Sequence, residues 1–275
     1  MTVVAYPGPE GSHSAAASRV LAPAGARIVG LPSFSAVVDA AVSQEATLGV
    51  LPIESSLAGP VAETHDLLYA APLSIVGEAT LPIRHCLVAR SRRDLAEYDV
   101  VRSHPAAFDQ CRGLLAALPA RRIAAATTAD AAREVAESND PAEAAIASEG
   151  AALTYGLEVV LDDVGDPPGA FTRFVAVAPF TRVDGGGEEW RTALSFVTFH
   201  QPGALHRALA PFARHGINLV QLVSRPLPQS RWRYRFDVVV DGHPLDAELR
   251  AAFTELRDVT RELRVFGSYA VGEER

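Results

Sequence analysis

Short apolar runs alternate with stretches of helical spacing through the first two thirds of the chain. Contiguous apolar residues bounded by Gly, Pro and Ser predict strands; apolar positions three and four apart behind a Ser or Thr predict helices. On that basis strand TVVAYPG (2–8) precedes helix SHSAAASRVL (12–21), and β-rich RIVGLPS (27–33) and TLGVLPI (47–53) enclose helix SFSAVVDAAVSQE (33–45). Helix VAETHDLLYAA (61–71) leads into one long β-rich stretch, LSIVGEATLPIRHCLVA (73–89). Strand YDVVRS (98–103), helix PAAFDQCRGLLAAL (105–118), strand RRIAAA (121–126) and helix TTADAAREVAE (127–137) follow. Strand AAIA (144–147), helix EGAALTYG (149–156), strand LEVVLDDV (157–164) and an apolar strand, Phe174–Pro179, complete the run. Such alternation predicts parallel α/β sheets, and the strand count divides them into two.

TRVDGGGEEW (181–190) interrupts this pattern. Three consecutive glycines flanked by charge predict a linker, placed at 182–190. Beyond it the order is β-α-β-β-α-β: RTALSFVTF, ALHRALAPFARHG, INLVQLVSR, RWRYRFDVVV, PLDAELRAAFTELRD and RELRVFGSYA. That is the ferredoxin-like split βαβ unit. Without clustered catalytic groups, it reads as a ligand sensor or dimer surface rather than an enzyme.

Bulk composition narrows the class. A chain of 275 residues suits one large and one small domain. Hydrophobic residues at 48% and charged residues at 21% describe a soluble globular protein. The opening residues lack a basic segment followed by an apolar run, so no signal peptide is expected, and no apolar run approaches bilayer length. Cys86 and Cys111 are too few for a disulfide framework and lack metal-ligand spacing, which predicts two small buried hydrophobes in a cytoplasmic protein. A net charge of −8 argues against nucleic acid as a partner. An anionic substrate must then be attracted by placed arginines or helix N-termini, not by the overall field.

Four polar clusters fall just beyond strand ends, where α/β folds bind ligands. Gly8–Ser14 (GPEGSHS) joins a glycine turn at Gly11 to a helix start at Ser12, offering free N–H groups to an anion. Leu51–Pro60 (LPIESSLAGP) places Glu54, Ser55 and Ser56 behind an apolar strand. Ser103–Cys111 (SHPAAFDQC) puts Ser103 or His104 at a helix cap before Pro105. Asp166–Pro179 (DPPGAFTRFVAVAP) delivers Thr172 and Arg173 into the mouth of a core strand. Taken singly, each has a plain structural reading: a βα turn, a capping loop with a solvated glutamate, a cap histidine, a strand end with a salt bridge. No Ser-His-Asp order, metal-spaced His/Cys set or P-loop is present. The combined inventory suits binding a small carboxylate and assisting an elimination, and does not suit hydride or phosphoryl transfer.

In their order these stretches resemble the prephenate dehydratase family followed by its ACT regulatory domain. The family pattern of a GPxGT-like loop, PIENSxxGxVxxTxDLL, SHPQALxQC, STAxAA, AAIAxxxAAxxYGL and DxxxNxTRF is met by GPEGS, PIESSLAGPVAETHDLL, SHPAAFDQC, TTADAA, AAIASEGAALTYGL and DPPGAFTRF. In the last third, GALH (203–206) and NLVQLVSRP (218–226) stand where the family has GALx and NLTxIESRP. The resemblance implies a two-lobed catalytic region like a type II periplasmic binding protein, with the active site between the lobes, plus a ferredoxin-like βαββαβ ACT domain. The catalytic region would span 1–181, lobe one being about 1–78 with 165–181 and lobe two about 79–164; the ACT domain would span 191–271. It implies that Thr172 is the key catalytic residue, hydrogen-bonding the departing ring hydroxyl of prephenate. Arg173 would hold a substrate carboxylate or the cleft geometry. Glu54, Ser56 and His104 complete the implied catalytic set. Gly11, Ser12, Ser55, Ser103, Thr127, Thr128 and Phe174 form the implied substrate-binding set. The implied effector is L-phenylalanine, bound by Gly203, Ala204, Leu205, His206, Asn218, Leu219, Ser224, Arg225 and Pro226, in a homodimer or homotetramer. No metal or organic cofactor is implied.

The chain departs from the pattern at four motif positions. Ser12 replaces threonine, and Ser55, Ala106 and Ala170 replace asparagine, glutamine and asparagine. Three of these remove amides that both donate and accept, each a contact worth on the order of 1 kcal/mol. Val223 stands where ESRP has glutamate. These changes keep three alternatives open: arogenate as substrate, a prephenate decarboxylase paralogue, and a non-catalytic amino-acid sensor. A solute-binding protein, the reading of the fold alone, fits less well with an ACT tail and no expected export signal.

Overall fold

The computed structural model describes residues 1–180, 189–227 and 230–272. Most of the expected linker (182–190), namely residues 182–188, therefore lies outside the described residues. The chain first builds β1 (Val3–Pro7), α1 (His13–Leu21), β2 (Arg27–Leu31), α2 (Phe34–Val42), β3 (Leu48–Ser55), the short β4 (Gly59–Pro60), α3 (Ala62–Ala70) and β5 (Ser74–Ile83). It then crosses to a second lobe: β6 (Cys86–Ala89), β7 (Val100–Ser103), α4 (Pro105–Asp109), α5 (Arg112–Ala117), β8 (Arg121–Ala124), α6 (Thr128–Glu137), β9 (Glu143–Ala147), α7 (Glu149–Tyr155) and β10 (Glu158–Leu161). It returns as β11 (Ala170–Ala178). The two sheets run β2-β1-β3-β11-β5 and β10-β6-β9-β7-β8.

Neither sheet is fully parallel, contrary to the sequence expectation. β1 pairs in parallel with β2 and β3, but β11 lies antiparallel to both β3 and β5. β7 is parallel to β8 and β9, while β6 is antiparallel to β9 and β10. The reason is the lobe crossing. β11 re-enters the first sheet from the second lobe, at the edge where β3 ends, so it must run back against β3.

Two expected elements are also divided. The long β-rich stretch breaks at Arg84 and His85, leaving β5 and β6 in different sheets. The helix expected over 105–118 breaks at Gln110 and Cys111. Asp166, on the returning crossover, donates its N–H to the Gln110 carbonyl at 2.5 Å and accepts from the Gly113 N–H at 2.5 Å. A tertiary partner thereby replaces the helical bonds that local spacing would have made.

The last third forms β12 (Trp190–Thr198), α8 (Ala204–Arg214), β13 (Leu219–Pro226), β14 (Tyr234–Asp241), α9 (Ala247–Val259) and β15 (Thr260–Ala270), with sheet order β13-β14-β12-β15. Period-two alternation gives this sheet two different faces. Leu194, Phe196, Val238 and Val240 pack under Phe212 and Leu256 of the two helices. Ala193, Val239, Phe266 and Tyr269 face the other way and share a core with Leu51, Ile53, Leu68 and Ile75 of lobe one. Gly267, at φ +147, lets β15 lie against β5, since a Cβ there would collide with the backbone oxygen of Ile75. Charge reinforces the join. Arg235, 1% exposed, donates to Asp237, Asp66 and the His65 carbonyl, and its guanidinium sits 4.3 Å from the Tyr69 ring centre. His65 on α3 meets Asp237 on β14 at 3.0 Å. No helix among the described residues is long and apolar enough to cross a membrane.

Candidate active site between the lobes

Strand direction brings the candidate residues together. β1 and β3 are parallel, so the Gly8–Ser12 turn and Ser55 share the carboxyl edge of the first sheet; β11, entering against β3, starts at that same edge with Thr172 opposite Ser55. In the second lobe β9, β7 and β8 are neighbouring parallel strands, so Ser148, Ser103 with His104, and the Thr127–Thr128 helix start all fall at one carboxyl edge. The two edges touch. The Ser148 hydroxyl donates to the Gly11 carbonyl at 2.7 Å, and Tyr155 donates to the Glu10 carbonyl at 3.3 Å.

Gly11 makes that closeness possible. Its φ is +79, and a Cβ would lie 2.7 Å from the Ala151 Cα at the start of α7. A side chain would need both an unfavourable backbone and a wider gap between lobes. Ser12 caps α1 by accepting from the Ala15 N–H at 3.2 Å, and Thr127 caps α6 by accepting from the Asp130 N–H at 2.9 Å. The positive ends of two full helices therefore point to the meeting edges, one from each lobe, where they favour a dianionic substrate.

At the β3–β11 end, sequence neighbours separate by face. Phe174 and Ala176 pack in the core beneath α1, and Leu81, opposite Thr172 on β5, belongs to that core. Thr172, part-buried, thus stands on the α1 face. Val175 and Val177 belong to the opposite core, and Arg173 stands with them. Its guanidinium lies 3.3 Å from Glu54, its cross-strand partner. It also lines a water-sized cavity of about 20 Å³ with His65, Gln221, Asp237 and Tyr269, between lobe one and the third sheet. That placement sets Arg173 at the strand end and beside the domain join; it does not put Arg173 beside Thr172 on the α1 face.

The serines are structural supports of the same corner. Ser56 is locked to β11: its N–H donates to the Phe171 carbonyl and its hydroxyl accepts from the Phe171 N–H, both at 2.9 Å. Ser55 accepts from the N–H groups of Leu57 and Ala58, closing the turn to β4. His104 is exposed and caps α4, Nδ1 accepting from the Ala106 N–H at 3.2 Å. Thr128 is half-buried at the start of α6. Two residues of the expected substrate set have side chains sealed in the core: Ser103, fully buried, donates to the Ile146 carbonyl, and Phe174 is 2% exposed.

Three residues absent from the sequence expectation stand at the crossover. His85 is buried between β5 and β6, with Nε2 2.8 Å from the Gln110 Oε1, while its carbonyl accepts from Val164 of the returning segment at 2.7 Å. His13, the first residue of α1, sets its ring edge-on to His85 with 6.2 Å between centres. Burial and the neighbouring His85 push His13 down to about 4, against a smaller opposing pull from the Arg84 backbone. Burial likewise lowers His85, partly offset by Gln110. One sequence signal was available: the adjacent Arg84 and His85 interrupt the long β-rich stretch 73–89.

The expected effector residues do not converge within one chain. β12 and β13 both run antiparallel to β14, so they are parallel to each other. Gly203, in the left-handed region at φ +73, starts α8 beyond the carboxyl end of β12 with buried Ala204, half-buried Leu205 and exposed His206. Asn218 and Leu219 lie at the opposite end of the sheet, where Asn218 donates to Asp241 at 2.9 Å. Ser224 and Pro226 are exposed on the edge strand, whereas Arg225 turns to lobe one and donates to both Asp66 oxygens. Val223, 8% exposed and opposite Asp237, also faces lobe one.

Residues 4–180 match the family model described as prephenate dehydratase, and residues 192–258 match the ACT domain model. A protein of Arabidopsis thaliana named arogenate dehydratase/prephenate dehydratase 2, chloroplastic, is 36% identical over 277 residues, covering 98% of this chain and 72% of that one. Among solved structures, prephenate dehydratase from Arthrobacter aurescens in complex with L-Phe superposes with a TM-score of 0.89 at 30% identity, covering 100% of this chain and 92% of that chain. A chain described as GqqA, a novel type of quorum quenching acylase, also gives 0.89, at 32% identity and 98% coverage of both.

Proposed function

The chain belongs to the prephenate dehydratase family and is a hydro-lyase that converts prephenate to phenylpyruvate; from that premise we propose that Thr172 is its catalytic hydroxyl and that phenylalanine regulates it through the ACT domain. In the reaction the bond from the ring to its carboxylate breaks, its electron pair enters the ring, and the C–O bond opposite breaks. The departing hydroxide takes a proton to become water, and CO2 leaves. Thr172 donates a hydrogen bond to that departing oxygen, which keeps charge from building on it. The substrate carboxylates lie against the α1 and α6 N-termini, and Glu54 with Arg173 fixes the strand that presents Thr172. Residues 1–181 form the catalytic region and 191–271 the ACT domain.

The observation that carries this reading is the position of Thr172: opposite Ser55, on the α1 face, at the edge where both lobes place their helix N-termini. No serine or threonine hydroxyl among the described residues is hydrogen-bonded to a histidine, so elimination is better supported here than acyl transfer. For the effector, the Gly203 loop and Asn218 occupy opposite ends of one ACT domain, so a shared phenylalanine site is completed by a second copy of the chain.

Purified protein is incubated with prephenate and with arogenate, and products are identified, phenylpyruvate by its absorbance in alkali. Prephenate gives phenylpyruvate, and Thr172→Ala lowers kcat by about 10²-fold or more while the melting temperature holds. Near-normal turnover of Thr172→Ala removes the residue from its role, and absence of any product leaves the sensor reading. Millimolar phenylalanine changes the rate or the melting temperature; no change in either refutes the regulatory part.

A further inference from the structure

We infer that His85 is a positioning residue for the dehydration, fixing the spacing between the glycine loop of lobe one and the His104 helix of lobe two. The inference rests on the active site lying between the lobes as proposed above. The described chain passes between the lobes twice, through Arg84–His85 and through the segment between β10 and β11. His85 touches every part that must stay in register. Its carbonyl takes the Val164 N–H of the second passage, and its Nε2–H donates to Gln110. Gln110 is itself the C-cap of α4, its N–H reaching the carbonyls of Ala106, Ala107 and Phe108, so the bond fixes the helix that begins at His104. On the other side His13 packs edge-on, and His13 directly follows Ser12, the α1 cap in the glycine loop. The loop is thus held at two points, by Ser148 of lobe two at its tip and by the imidazole pair behind its cap.

With Nε2–H spent on Gln110, the Nδ1 of His85 is a buried acceptor without a partner among the described residues. An apolar residue would fill the same space without that cost. What leucine cannot supply is the directional bond to Gln110, and that bond sets the distance across the site.

The test compares His85→Leu, Gln110→Leu, His85→Gln and the double variant His85→Leu with Gln110→Leu, beside wild type and Thr172→Ala, in steady-state turnover of prephenate. His85→Leu and Gln110→Leu each lower kcat/KM by about tenfold to a hundredfold, chiefly through kcat, the cost of misplacing reacting groups by about 1 Å. The double variant is no worse than either single one, because both remove the same bond. His85→Gln recovers most of the activity, since its amide N–H still reaches Gln110. Should His85→Leu fail to fold, Gln110→Leu, at a half-exposed position, carries the test. Leucine variants that turn over like wild type, or His85→Gln as impaired as His85→Leu, overturn this inference in an otherwise active enzyme. A wild type without turnover, or a fully active Thr172→Ala, overturns the underlying reading instead.

Discussion

Asp237→Ala probes the join between the ACT domain and lobe one. The native carboxylate is 3% exposed and accepts from His65 at 3.0 Å and from Arg235 Nε at 3.2 Å. Removing it leaves Asp66, itself half in solvent, as the only charged partner of the 1% exposed Arg235 among the described residues. It also leaves the His65 ring without its acceptor. Breaking a buried pair on one side costs about 3–5 kcal/mol. In a chain of this size each kcal/mol moves the melting temperature by roughly 2–4 °C, so a fall of roughly 6–20 °C is expected. Replacing both partners, Arg235→Met with Asp237→Leu, is expected to be milder than Asp237→Ala alone, because no unpaired charge remains.

The pH dependence has a definite sign. Burial pushes the Asp237 carboxyl up, and the hydrogen bond from His65 with the charge of Arg235 more than reverses this, leaving it below its ordinary value. A lowered native pKa gives stability that is complete above the unfolded value of about 3.9 and is lost as pH falls through the native one. Calorimetric melts of wild type and Asp237→Ala should therefore differ most from neutral pH down to roughly pH 5, and converge only in stronger acid. A melting temperature for Asp237→Ala within a degree or two of wild type at pH 7, or a double variant worse than the single, would refute the reasoning.

Gly11→Ala places a Cβ against Ala151 in a backbone region alanine disfavours. Its kcat/KM for prephenate should fall about tenfold or more as the lobes are wedged apart, and wild-type kinetics would disprove the contact. Burial pushes Cys86 and Cys111 each up to about 12. Neither thiol should react with a thiolate-specific reagent at pH 8 until denaturant is added, and rapid labelling of native protein would contradict their burial.

Much of this protein was legible as sequence because its determinants are local. Strand and helix periods, Ser12 as a cap, and the ferredoxin-like order of the last third all depend on neighbours a few residues away. The motif carrying Thr172 could be picked out, and so could its place at a strand mouth. What local pattern could not carry was direction and face. β11 is antiparallel because it returns from another lobe, and only that reversal sets Thr172 opposite Ser55 while turning Arg173 toward Glu54 and Tyr269. Ser103 and Phe174 looked available beside their motifs, yet tertiary packing sealed both. His85, Gln110 and His13 are scattered in sequence, and their meeting was decided by where the two crossovers pass. The join of Arg235 and Asp237 to His65 and Asp66 likewise exists only once two separately coded domains pack, because burial is what converts these dispersed charges into one interacting group.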